Sequence, residues 1–98
     1  MIVLFVAHLG QIVATPRALV ALAAADTSPS TLLRRHASGD WGDLDVHDRA
    51  ANVQALRDGS RLLSAYTVAE GVKIWIITEA TDEDGHRAAT TLLLPEEY

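Results

Sequence analysis

Hydrophobic and polar positions along this chain follow first a helical period and then a period of two. The opening run "IVLFVAHLGQIVAT", residues 2–15, is apolar, rich in β-branched residues and interrupted by Gly10, which predicts an extended piece or a strand with a bend. Thr15 and Pro16 then announce a helix. The threonine hydroxyl can accept from the unpaired amides of a first turn, and proline at the first helical position sacrifices no hydrogen bond. "RALVALAAA" continues that helix to near Asp26. "SPSTLLRRHASG" repeats the grammar, with Ser28 as cap, Pro29 behind it and Gly39 free to take the left-handed stop conformation. A third helix is predicted between Asp45 and Gly59, with Val46, Ala50, Val53 and Leu56 as the inward stripe and Arg49, Asn52 and Arg57 facing water.

Beyond Gly59 the pattern alternates, and "RLLSAYTV", "VKIWIITE" and "AATTLLL" read as strands. "AEG", residues 69–71, suits a short hairpin loop with glycine at the left-handed position, and "TDEDGH" a longer polar loop. Helices first and strands after describe an α+β fold in one domain, residues 1–98. The expected architecture is about three N-terminal helices packed on a three-stranded antiparallel sheet, with an extra N-terminal strand as an option.

Pairing Val68 with Val72 places Leu62, Tyr66, Val68, Val72, Ile74 and Ile76 on one sheet face, where the helices should lie. The other face then carries Leu63, Ala65, Trp75 and Ile77, too apolar to meet water alone even with Lys73 and Glu79 at its ends. Two covers are open. The segment Ile2 to Ala7 or one of the helices folds over it, or Trp75, Ile77 and Leu63 form a contact patch for a protein partner or a second copy of the chain.

Composition narrows the function classes. At 98 residues the chain buries roughly two thirds of its unfolded surface, so a large enclosed active site is not expected. Thirteen acidic against eight basic residues give a net charge of -5, which opposes direct binding to nucleic acid and permits docking into a basic groove of another protein. The absence of cysteine excludes disulfides, zinc-thiolate sites, iron–sulfur clusters and thiol catalysis. No Gly-rich phosphate loop is present, and no cofactor is expected. "MIVLFVAHLG" has neither a basic start nor a small-residue cleavage site and is too short to span a bilayer, so no membrane association is expected and the cytoplasm is the expected compartment.

"RHASGDWGDLDVHD", residues 35–48, holds the densest candidate chemistry. Asp40, Asp43, Asp45 and His47 could converge on a divalent cation, although their spacing does not match a calcium loop. Local roles account for these residues more simply. Asp45 caps the third helix and can pair with Arg49, Asp48 meets the positive end of the helix dipole, and Asp40 and Asp43 flank a glycine turn. Trp41 would then anchor the loop. His36 falls in the last turn of the second helix, where a partly charged imidazole is favoured. Ser64, Thr67 and Thr78 lack any activating motif. His86 beside Arg87 could meet an anion or simply belong to a solvated turn.

Taken together, "LGQIVATPRAL", "SGDWGDLD", "ANVQALRDGSRLLSAY", "KIWIITEA" and "TTLLLPEEY" resemble a family of short bacterial proteins carried on plasmids, prophages and other mobile elements. Some members carry the label of a type I restriction methyltransferase subunit, but neither a cofactor-binding glycine loop nor an Asn-Pro-Pro motif stands in this sequence. The missing residues for chemistry and the candidate contact surface lead to the expectation of a noncatalytic protein-binding module, and the resemblance to mobile-element proteins suggests an inhibitor or modulator of a host defence complex of the CRISPR or restriction kind. Its contact surface is expected at Trp75, Ile77 and Leu63 or at Asp40, Trp41 and Asp43. The competing expectation is a small metal-assisted hydrolase or nuclease built on Asp40, Asp43, Asp45 and His47.

Overall fold

In the computed structural model, which describes residues 9–98, all three helices start at the caps their sequences announce. Thr15 accepts from the Ala18 amide ahead of α1 (Pro16–Ala24), Ser28 from the Thr31 amide ahead of α2 (Pro29–Ala37), and Asp45 from the Asp48 amide ahead of α3 (Val46–Asp58). Gly59 closes α3 in the left-handed conformation. The expected extended piece from Ile2 to Ala7 lies outside the described residues.

The expected three-stranded antiparallel sheet is incorrect. Four strands form a mixed sheet in the order β1 (Gln11–Ala14), β4 (Ala89–Leu93), β3 (Val72–Thr78) and β2 (Leu62–Ala69), and β1 runs parallel to β4. The Gln11 amide donates to the Ala88 carbonyl and the Thr15 amide to the Leu92 carbonyl. β4 is thus an interior strand, paired with β3 on one edge and β1 on the other, and its Leu92 and Leu93, which point to opposite faces, are both buried. The β2–β3 hairpin keeps the anticipated register, with Tyr66 opposite Ile74, but a bulge near its turn sets Ala69, rather than Val68, opposite Val72.

All three helices bury their inner residues against one face of this sheet. Ala18 and Leu22 of α1 and Leu32 of α2 pack with Tyr66, Ile74, Ile76, Leu92 and Leu94, while Ala55 of α3 packs on Leu62. The anticipated stripe of α3 is rotated: Val46 is 82% exposed, Ala50 and Val53 also face water, and Asn52 is buried. A hydrogen-bond demand outranks hydropathy here. The Asn52 carboxamide donates from Nδ2 to the Leu63 carbonyl at 2.6 Å and accepts the Leu63 amide at 3.0 Å, pairing the outward backbone of edge strand β2. Removing that carboxamide would leave a buried donor and acceptor unpaired. Asn52→Ala is therefore expected to lose roughly 2–3 kcal/mol in urea unfolding, and Val53→Ala less than about 0.5 kcal/mol. Equal losses would restore the hydropathic stripe.

Candidate functional site

The aspartate run completes the protection that Asn52 begins. The Ala65 amide donates to the Trp41 carbonyl at 3.1 Å and the Asp43 amide to the Ala65 carbonyl at 2.7 Å, so residues 41–43 seal the next stretch of the β2 edge. Asp40 pairs with Arg35 at 2.6 and 3.2 Å, and the guanidinium holds its carboxyl below the usual carboxylate range. Arg35 also lies over the Tyr66 ring, and the Tyr66 hydroxyl, pushed up to about 12 by burial, donates to the Asp40 carbonyl. Asp43 accepts from the Thr67 hydroxyl, which lowers its pKa. Arg49 donates to the Leu44 and Gly42 carbonyls, where the sequence suggested a pair with Asp45. Trp41 is half-buried, and its indole N–H is sealed without an acceptor among the described residues, which costs about 1–3 kcal/mol that packing has to offset.

Asp40, Asp43 and Asp45 thus serve three different backbone or side-chain partners, and His47 is exposed on α3. Among the described residues, the side chains that do group at metal-ligating distance are Asp82, Asp84 and His86, whose ligand atoms lie within 4.8 Å of one another. All three are exposed on the β3–β4 loop, and the alternating D-x-D-x-H spacing is the sequence signal for them. Asp82 also accepts the Asp84 and His86 amides, which lowers its pKa and shapes the turn. Arg87, the suggested anion partner, instead donates to the Ser60, Glu79 and Ala55 carbonyls and ties this loop to the end of α3.

His36 is fully buried, contrary to the partly charged imidazole expected at the end of α2. Its ring bridges Ser64 Oγ at 2.5 Å and Thr78 Oγ1 at 2.8 Å, and Thr78 meets Thr90 Oγ1 at 2.8 Å. Thr90 spends its one proton on the Leu9 carbonyl at 2.6 Å, and this fixes every donor behind it. Thr78 donates to Thr90, His36 Nε2–H donates to Thr78, and the bare Nδ1 accepts from Ser64. Burial, assisted by Arg87, lowers the imidazole pKa to about 4, so the ring is neutral at pH 7. Ser64 and His36 have the contact of a nucleophile and its base, yet both are sealed from solvent. Its position binds α2 to three strands.

The opposite face of the sheet is where the remaining apolar candidates meet. Trp75 and Leu63 are half-buried on it, and Ala65, Ile77 and Leu93 lie beneath, Ile77 being only 6% exposed. Ile77 therefore supports the face more than it presents itself. Tyr98, which sequence reasoning passed over, stands edge-on to Trp75 with ring centroids 5.7 Å apart and is 66% exposed. The Arg61 guanidinium lies over the Tyr98 ring and donates to its hydroxyl. A terminal aromatic after two glutamates was the only hint in the sequence. Leu63, Trp75 and Tyr98 thus form an aromatic and aliphatic strip bordered by Arg61 and Lys73.

Comparison with protein-family models, curated proteins and solved structures finds no match to this chain. No helix among the described residues is long and apolar enough to cross a membrane.

Proposed function

We propose that this chain is a noncatalytic protein-binding module that docks a protein partner through the outer sheet face around Trp75, Leu63 and Tyr98. The observation that carries this reading is the position of Trp75. All three helices bury their inner residues on the other face, and the indole stands only partly buried, beside an exposed tyrosine. Tryptophan and tyrosine combine large contact area with few rotatable bonds, and they are enriched among the residues that dominate binding energies. The resemblance to mobile-element proteins favours a host defence complex as that partner. The acidic run makes a weaker contact surface, since Asp40, Trp41 and Asp43 are engaged in sealing the β2 edge.

Capture of host proteins by the wild type and by Trp75→Ser, side by side, tests the reading. The expected result is a partner retained by the wild type and lost by the variant, with unchanged far-UV circular dichroism and a melting temperature within a few degrees. Collapse of the fold in Trp75→Ser would make the indole a core residue, and retention of the same partner would place the contact elsewhere. Either result overturns the proposal.

A further inference from the structure

The two edges of the sheet are treated in opposite ways. On β2 the outward amides and carbonyls of Leu63 and Ala65 are all taken, by Asn52 and by residues 41–43. On β1 the groups facing β4 belong to Gln11 and Thr15, so strand alternation turns the N–H and C=O of Ile12 and Ala14 away from the sheet. Among the described residues nothing pairs with them. Ile12 and Val13 are 47% and 41% exposed, and the strand, though only four residues long, carries no charge, proline or bulge, three of the devices that blunt an edge.

We infer that the β1 edge is a dimerisation site for a second copy of this chain, the two β1 strands pairing antiparallel across a two-fold axis at Val13. Self-pairing follows from the strand's own residues. With the axis at Val13, the outward groups of Ile12 meet those of Ala14 in the other copy, closing four backbone hydrogen bonds. The large Ile12 then lies beside the small Ala14 on the face that Thr90 and Leu92 share, and Val13 meets its own equivalent on the face of Thr91. Electrostatics allow it despite the net charge of -5, because residues 9–16 contain no charged side chain and two such edges approach without local repulsion. The site is separate from the Trp75 strip, which stays available to another partner on the outer face.

Two variants of the full chain test this. Light scattering after size exclusion should give twice the 10.5 kDa chain mass for the wild type and one chain mass for Ile12→Pro, which deletes an outward N–H and leaves the donors facing β4 in place. The sequence has no cysteine, so Val13→Cys introduces a single thiol, and on mild oxidation it should give nearly complete covalent dimer, because Cα atoms of a non-hydrogen-bonded antiparallel pair lie about 4.5 Å apart. Gln11→Cys, displaced from the axis, should crosslink at least tenfold more slowly. A wild type of single-chain mass at every attainable concentration, or equal crosslinking through positions 11 and 13, would overturn the inference. If Ile12→Pro does not fold, the crosslinking comparison still decides.

Discussion

Acidification from pH 7 to pH 4 is expected to remove about 3 kcal/mol of folding stability through His36 alone. In the folded chain burial holds the imidazole pKa to about 4, whereas the unfolded chain returns it to its ordinary 6.5. Between those values the unfolded state binds a proton that the folded state refuses, so stability falls as the pH falls. It is fully present above about pH 6.5 and lost progressively down to about pH 4. A separation of about 2.5 pH units at 1.36 kcal/mol each gives the figure. Against a typical domain stability of roughly 5–15 kcal/mol that is a large fraction. Carboxylates act in a lower window. Asp40, held down by Arg35, and Glu97, held down by the Leu94 amide and the Thr15 hydroxyl, are lowered from ordinary values near 4, so their loss is felt only below that pH.

Urea titrations at half-unit pH intervals separate the two windows. The wild type should lose stability steadily between pH 6.5 and 4, and His36→Leu, less stable at pH 7 because Ser64 and Thr78 lose their partner, should be nearly flat there. A wild-type curve that is flat to pH 4.5 would mean that the imidazole opens to water on protonation at little cost. An equal slope in His36→Leu would assign the acid sensitivity to other groups.

What the sequence revealed and what it hid divide by range of interaction. The caps at Thr15, Ser28 and Asp45 are settled within three residues of each helix start, and the body of the β2–β3 hairpin by alternation in neighbouring segments, so short stretches announce them, whereas the bulge beside the turn was not legible. The parallel pairing of β1 with β4 joins residues nearly eighty positions apart, and nothing in "QIVA" indicates the direction of its neighbour. Polar residues with distant buried partners were misread for the same reason. Hydropathy alone turns Asn52 and His36 toward water, and only the placement of Leu63, Ser64 and Thr78 shows each to be satisfied inside. The apolar outer face was legible from alternation. The role of the aspartate run was half legible: Asp45 as a cap followed from position, but the sealing of β2 by residues 41–43 required the sheet to be in view.

That sealing depends on one glycine, and Gly42→Ala is expected to be the most damaging of the single substitutions considered. Gly42 has φ +76, where an alanine is strained by roughly 1–2 kcal/mol. The added methyl would also stand 2.0 Å from the Ala65 carbonyl oxygen and 2.7 Å from Tyr66 Cδ1. Neither neighbour can yield freely, since the Ala65 carbonyl is held by the Asp43 amide and Tyr66 is fully buried in the main core. The loop must therefore lift, breaking both bonds to Ala65 and the one from the Tyr66 hydroxyl to the Asp40 carbonyl. Strain plus three lost or weakened hydrogen bonds amounts to about 4 kcal/mol or more, against the strain alone, roughly 1–2 kcal/mol, for glycine-to-alanine replacement at Gly71 (φ +71), whose methyl would meet nothing within 4 Å. The lifted loop bares the β2 edge, and a bared edge recruits other strands. Thermal unfolding of Gly42→Ala should thus show a midpoint lower by some 15 °C or more together with rising light scattering, while Gly71→Ala, strained but unobstructed, loses about half of that or less and shows no rise in scattering. A Gly42→Ala midpoint close to that of Gly71→Ala would show that the loop moves aside without loosening the strand it covers.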